Sequence, residues 1–310
     1  MSLIPLKVSI VISTKNEEGT IVNCLESIEN QTFRSFEIIV VDNYSSDNTL
    51  KLASSFTKNI FLKGPERASQ RNYGLLERSK GEYGMYVDAD MILTPTLLEE
   101  CVSDMQTSNA VALYIPEIVL GKSLFAKVRR FERSFYTGTS IDACRFFRMS
   151  AFRSIGGFDE MLFQAGSGED WDLDKRFRML GPCKVLTRTP AKYTRPSKEL
   201  RWFCKLRGFE HSNEFTGLYH DESDDRVMAY LKKKGYYARG FDGYIEKWGK
   251  SDSDIREQFG VYNRVMGIFL KSPMWKNLIK RMDLFLLLIA LRITTGIFVV
   301  FALLKKRVLG

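Results

Sequence analysis

The chain has 310 residues, 45% of them hydrophobic and 13% aromatic, with a formal net charge of +9. That content is enough to bury a large core in one big domain or two modest ones, and it excludes a disordered chain. Five cysteines, Cys24, Cys101, Cys144, Cys183 and Cys204, are widely spaced with no C-x-x-C pair, which argues against a disulfide framework or a zinc site and predicts reduced thiols in a cytoplasmic compartment.

In chain order, "KVSIVIS" (7–13) predicts a strand, "TIVNCLESIEN" (20–30) a helix, "FEIIVVD" (36–42) a strand and "NTLKLASSF" (48–56) a helix. "NIFLK" (59–63), "ERASQRNYGLLERSK" (66–80) and "YGMYVD" (83–88) continue as strand, helix and strand. The first apolar run is short and reads as a strand rather than a signal-peptide core. Val/Ile runs separated by helices predict a parallel sheet covered on both faces. Ligands of such sheets bind beyond the carboxyl ends of the strands, where Asn16, Glu17, Asp42, Asp88 and Asp90 all fall.

The run "YGMYVDADMIL" ends a strand on two carboxylates separated by one alanine. If the strand persists through Asp90, both point to one face and repel, and a divalent cation is the simplest relief. No G-x-G-x-x-G or G-x-x-x-x-G-K-[ST] follows the first strand, which argues against a dinucleotide enzyme or a P-loop ATPase. The first crossover, "STKNEEGT", offers acceptors suited to ribose hydroxyls and base N–H groups, so a nucleotide is expected if a metal carries its diphosphate. The alternative for Glu17 and Asp42 is a role as helix N-cap or first-turn acids. "GSGEDWDLDKRF" predicts a helix from near Gly168, with Leu173, Phe177 and Leu180 as its apolar stripe and Glu169 and Asp170 in its first turn. Trp171 either stacks on a sugar or packs in the core.

Basic charge is segregated. Residues 175–208 hold eleven Lys/Arg against one acid, and residues 264–310 hold nine against one. Phosphate or an anionic membrane surface suits these segments; no nucleic-acid recognition motif is present, so no nucleic-acid partner is expected. "LFLLLIALRITTGIFVVFALL" (284–304) is long enough to cross a bilayer and carries one charge, Arg292. Basic clusters flank it on both sides, so a helix or short hairpin in the cytoplasmic leaflet is expected ahead of a span or a buried core helix.

"VSIVISTKNEEGTIVNCLESIENQTFRSFEIIVVDNYSSDNT", "RNYGLLERSKGEYGMYVDAD", "IGGFDE" and "GEDWDLDKRFRMLG" together resemble the inverting family 2 glycosyltransferases of GT-A fold, over residues 7–187. The resemblance implies a GT-A domain over residues 1–200, followed by a helical extension (201–271) and a membrane-associated segment (272–310). It further implies a UDP- or GDP-sugar donor, Mn²⁺ or Mg²⁺ as cofactor, Thr14, Asn16, Glu17, Asp42, Arg67, Asn72, Asp88 and Ala89 around the donor, and Asp88 and Asp90 at the metal. His211 would be an additional metal ligand, Asp170 the general base, and Glu169 a residue positioning acceptor or donor sugar.

Two departures concern the acceptor. Ile92 stands where members that make polyprenyl-phosphate sugars often carry Gln, and "KELRW" (198–202) has Lys in the Gln position of the processive Q-x-x-R-W motif. Both point to addition of one sugar to a hydroxyl of a membrane-borne acceptor, such as a polyprenyl-diphosphate-linked glycan, at the cytoplasmic face of the cell membrane. The acceptor phosphates would meet Arg129, Arg130 or Arg133. The alternatives are a polyprenyl-phosphate sugar synthase, a haloacid-dehalogenase-like phosphatase reading of "VDADMIL", and a non-catalytic membrane scaffold.

Overall fold

The computed structural model describes residues 7–161, 168–186, 216–222, 226–238, 240–272 and 274–309. Strands β1 (Val8–Thr14), β2 (Phe36–Asp42), β3 (Ile60–Leu62) and β4 (Tyr83–Asp88) run parallel, the first three followed by crossovers through α1 (Ile21–Glu29), α2 (Thr49–Ala53) and α3 (Arg67–Asn72). A π-helical stretch, Tyr73–Arg78, continues α3. The sheet extends through β8 (Cys144–Arg148), antiparallel to β4, then β6 (Ala112–Tyr114) and β9 (Cys183–Val185), giving the order β3-β2-β1-β4-β8-β6-β9. The alternating strands and helices expected from the sequence are therefore present, in a mostly parallel sheet flanked by helices.

The two-residue period of β1 divides the core. Val8, Ile10 and Ile12 join Ile21, Leu25, Val40 and Val87 on one face, with α4 (Leu97–Thr107) behind them. Val11 joins Ile39, Val41 and Tyr86 on the other, covered by α3, α6 (Met149–Ser154) and α7 (Glu169–Leu180). Leu173 and Phe177 of α7 are fully buried, whereas Leu180, the third member of the expected stripe, is exposed at the helix end. Register pairs Thr14 with Asp42 and Ser13 with Asp88, so these strands deliver their polar ends to one level.

β5 (Met91–Leu93), β7 (Glu117–Leu120) and β10 (Leu218–Asp221) form a second sheet in the order β5-β10-β7. The expectation of a helical extension from residue 201 is corrected here: Leu218 and Tyr219 are completely buried in a strand, antiparallel to β5 and parallel to β7. Helices follow: α8 (Val227–Ala238), α9 (Phe241–Trp248), α10 (Ser253–Phe259), α11 (Ile268–Lys271), α12 (Lys276–Lys280) and α13 (Met282–Leu309).

α13 is a single 28-residue helix rather than a hairpin. Its inner face inserts Leu284 and Leu288 into a cluster with Val128, Phe131, Tyr136 and Phe269, beside α5 (Leu124–Arg133). Arg292 lies on this inner face, its Nε 2.5 Å from Glu132 Oε1, which is how the protein accommodates a charge inside an apolar run. Leu286, Ile293, Ile297, Val300 and Phe301 remain exposed on the outer face. Cys24, Cys101 and Cys144 are buried free thiols and Cys183 a half-buried one, as expected; Cys204 lies outside the described residues.

Candidate active site

Gly168, in the left-handed region at φ +80°, turns the chain into α7 and places Glu169 and Asp170 at the helix start. An L side chain is strained there, so glycine suits the turn. α3 presents Arg67 and Arg71, four residues apart and therefore on one helix face. Arg71 is fully buried and donates to two carboxylates: Nη2 to Asp88 Oδ1 at 2.7 Å and Nη1 to Asp170 Oδ1 at 2.8 Å. Its guanidinium sits 4.4 Å from the Tyr86 ring centroid. Arg67 donates to Glu169 at 3.0 Å. One arginine pair thus joins the end of β4 to the start of α7.

The two acids of α7 differ. The Glu169 side chain is 2% exposed, and burial pushes its carboxyl above the ordinary range despite Arg67. The Asp170 side chain is 26% exposed, which leaves a face for a substrate. Trp171 stacks on Phe241, with centroids 5.3 Å apart, and touches Tyr244 and Phe259, so the core-packing alternative holds for it.

β4 ends at Asp88, and Ala89 and Asp90 form a turn. The shared strand face expected for the two carboxylates is therefore corrected: the backbone leaves the strand between them. Asp88 is held by Arg71 and, at 3.5 Å, by Arg145 of β8, and these cations keep its carboxyl well below the usual range against the effect of burial. Asp90 meets a different partner, His220 of β10, with Nε2 3.1 Å from Asp90 Oδ2. The other nitrogen, Nδ1, lies 2.8 Å from Glu117 Oε1. Burial disfavours the imidazolium, but Asp90 and Glu117 outweigh it and hold His220 well above the usual histidine range. His211, the expected ligand, lies outside the described residues; the histidine brought to the second aspartate is His220.

The donor side is less uniform. Asn16 adopts φ +55° and receives the Ser46 amide on its side chain, closing the loop after β1 onto the loop after β2. Glu17 accepts from Thr20, and its carboxyl is raised by burial and by Asp90 and Asp88 nearby. Asp42 is completely buried and takes both the amide and the hydroxyl of Ser45, so a nucleoside would reach only its remaining lone pairs. The hydroxyls of Ser13 and Thr14 are buried without hydrogen-bond partners at the end of β1. Ala89 is buried in the core below the site. Asn72 departs from its expected role: its amide is spent on Phe158 and Glu160, tying the "GGFDE" turn to α3.

The phosphate-binding role expected for α5 is also corrected. Arg129 is buried against Glu222 and Glu132, Arg130 donates to the carbonyls of Val119 and Gly121, and Arg133 pairs with Glu117 and Asp142. These arginines weld α5 to β7 and β10 rather than face a ligand. Arg71, Arg145, Glu117 and His220 were not assigned from the sequence. The spacing of Arg67 and Arg71 was a signal available for one of them.

Among the described residues, no three His, Cys, Asp or Glu side chains already surround one point. Asp90 nevertheless has Oδ1 buried with no partner, and an oxygen from Asp90 with Nε2 of His220, once a cation displaces the proton between them, is a donor set that Mn²⁺ accepts. The residues fit a divalent cation whose coordination is completed by a diphosphate.

Residues 9–156 match the Glycosyl transferase family 2 family. The chain is 28% identical over 121 residues to the poly(ribitol-phosphate) beta-N-acetylglucosaminyltransferase TarS of Staphylococcus aureus, covering 36% of this chain and 21% of that protein. It is 32% identical over 112 residues to a cholesterol galactosyltransferase of Borreliella burgdorferi, covering 34% of this chain and 30% of that protein. The matches thus span about a third or less of these relatives' lengths. Among solved structures, S. aureus TarS 1–349 with UDP-GlcNAc is similar at TM-score 0.51 and 15% identity, covering 97% of this chain and 91% of that one. The mannosyltransferase PcManGT of Pyrobaculum calidifontis, with GDP-Man and Mn²⁺, is similar at TM-score 0.58 and 15% identity, covering 95% and 87%. At this identity the structures establish the fold, which is GT-A.

Proposed function

We propose that the chain transfers one hexose from a UDP- or GDP-sugar, with inversion and with a divalent cation, to a hydroxyl of a membrane-borne acceptor, a reading supported by the match of residues 9–156 to Glycosyl transferase family 2 and by the GT-A fold. The observation that carries this reading is Arg71, which holds the D-x-D aspartate Asp88 and the α7 acid Asp170 within one ion-pair cluster. Donor-binding and proton-accepting groups must lie this close for an acceptor hydroxyl to attack an anomeric carbon.

Asp170 is the proposed general base. It is reachable from solvent, and Arg71 holds it at the start of α7, where a carboxylate can accept the hydroxyl proton. Glu169, buried and clamped by Arg67, fixes the start of α7 and so the position of Asp170. Glu17, Asn16 and the unpartnered hydroxyl of Thr14 supply acceptors and donors for the nucleoside. Asp90 and His220 would hold the cation, which when bound would neutralise the departing diphosphate. The outer face of α13 rests the protein on the cytoplasmic face of the membrane, where a lipid-linked acceptor is presented; the apolar, 23-residue stretch Met282–Leu304 supports this.

The test is a panel of nucleotide-sugars, including UDP-GlcNAc and GDP-mannose, measured by thermal shift and calorimetry with and without MnCl₂. A metal-dependent stabilisation by one of them is expected. Absence of binding by every nucleotide-sugar would overturn the reading.

A further inference from the structure

Two cations beside Glu132 have no ion-pair partner among the described residues. Lys234 of α8 and Arg264, in the π-helical stretch Asn263–Gly267, are half-buried. Among the described residues neither forms a hydrogen bond or an ion pair. Each instead lies against a ring: Lys234 Nζ is 5.2 Å from the Tyr230 centroid, and the Arg264 guanidinium is 5.4 Å from Trp171. Glu132 attracts both, but it is already engaged by Arg129 and Arg292, and Glu222 by Arg129. Positive charge is therefore in excess at this spot. Burial, then the neighbouring Arg129, pushes the Lys234 ammonium down to about 7 even though Glu132 opposes them.

The position has a direction. Tyr237 follows Lys234 by three residues, on the same face of α8, and lies 5.7 Å from the guanidinium of Arg67, the partner of Glu169. Trp171, under Arg264, directly follows Asp170. On its other side α8 is pressed against the apolar helix: a side chain at Gly235 would meet Phe298 and Ala302 of α13 at 3.2 Å. The two cations thus sit on elements that touch both α7, through Trp171, and the helix with the exposed apolar face, through Gly235.

We propose that Lys234 and Arg264 form an anion subsite that binds a phosphate group of the acceptor, on the lipid side of the hydroxyl presented to Asp170. This rests on the transferase reading and assigns the residues that recognise the acceptor. A phosphate there fills both needs at once, compensating the surplus charge and giving each cation the oxygen partners it lacks. It also takes over the role that Arg129, Arg130 and Arg133, spent on internal pairs, do not fill.

The test uses the full chain in nonionic-detergent micelles, saturated with UDP and MnCl₂, with dodecyl phosphate as probe and dodecanol as control, followed by calorimetry. Dodecyl phosphate is expected to bind and dodecanol not. Lys234→Gln combined with Arg264→Gln is expected to weaken dodecyl phosphate by about 10–100-fold, the equivalent of one to two charge-assisted hydrogen bonds, with UDP affinity retained and no fall in melting temperature. Arg264→Lys, keeping the charge, should recover part of the loss. Equal affinity in the wild type and the double variant overturns the proposal. So does a double variant that keeps dodecyl phosphate but loses phosphatidylglycerol vesicles, because the cations would then serve the bilayer surface. Binding of dodecyl phosphate by a protein that binds no nucleotide-sugar supports the subsite while removing the transferase reading.

Discussion

Arg71 and Asp170, ninety-nine residues apart, meet at 2.8 Å, and the same guanidinium holds Asp88 at 2.7 Å. A single buried cation therefore sets the distance between the strand end that addresses the donor and the helix start that addresses the acceptor. Its own position is fixed by Tyr86 and Phe158, whose ring centroids lie 4.4 and 5.4 Å from the guanidinium. Arginine suits this place because its rigid planar fork fixes the directions of both hydrogen bonds, which a freely rotating ammonium does not.

Arg71→Met should consequently damage both stability and turnover. Removing one partner of a buried pair costs about 3–5 kcal/mol, and the lower end is expected because Asp88 and Asp170 keep some contact with water. Arg71→Lys should recover part of the stability but little of the rate. Denaturant unfolding beside steady-state kinetics separates the two; a variant that loses stability alone would make Arg71 structural only.

The parallel sheet was legible because its strands are continuous Val/Ile runs closed by turns, and the helix at Glu169 because Leu173 and Phe177 keep its period. What the sequence does not reveal is pairing across long separations. His220 reaches Asp90 only because "LYHD", an undistinguished stretch, becomes a strand between β5 and β7. Arg129, Arg130 and Arg133 read as phosphate-binding cations until β7, β10 and the residues after them supply the acids and carbonyls they bind. Arg292 reads as a charge lost in an apolar segment until Glu132 is found beside it.

The pairing of Asp90 with His220 yields a prediction for the cation. With UDP present, Asp90→Asn and His220→Gln should each weaken Mn²⁺ by at least about tenfold, measured as free Mn²⁺ by electron paramagnetic resonance, and EDTA should abolish transfer. Unchanged Mn²⁺ affinity in His220→Gln would leave that histidine a role only in joining β10 to Glu117.

Lys234 carries a pH dependence. Its folded-state value, about 7, lies below the ordinary lysine value of 10.5, so between these limits the unfolded chain binds more protons and stability rises with pH. Arg129, Arg264 and Lys233 oppose its charge and Glu132 favours it. Relative to Lys234→Met, the wild type should therefore gain stability from pH 7 to pH 9.5, read as the difference between two urea-unfolding series. Parallel series would place the Lys234 ammonium in ordinary solvent.

The two faces of α13 should respond differently to change. Replacing Leu286, Ile293 and Phe301 on the outer face with Gln is expected to move stability by no more than about 0.5 kcal/mol while releasing the protein from phosphatidylglycerol vesicles in co-sedimentation. Deleting residues 272–310 strips Leu284 and Leu288 from the cluster around Phe269 and leaves Glu132 without Arg292, so the truncated chain should be markedly less stable. Vesicle binding unaffected by the three substitutions would assign the exposed face to some other contact.

The division of labour between Asp170 and Glu169 is the sharpest test of the mechanism. A general base contributes roughly 10²–10⁴-fold, so Asp170→Asn should lower kcat by about that factor. The amide still fits beside Arg71 but does not take the acceptor's proton. Donor affinity should change little, since the nucleoside and diphosphate contacts lie on β1, β2 and the turn after β4. Glu169→Gln keeps a hydrogen bond to Arg67 while losing the charge, and should act through the placement of α7, changing KM together with kcat rather than kcat alone. Asp170→Asn with near-normal kcat would exclude it as the base. The acceptor's attacking oxygen would then have to be ionised already, as the phosphate of a polyprenyl phosphate is, and Lys234 and Arg264 would be holding the nucleophile itself.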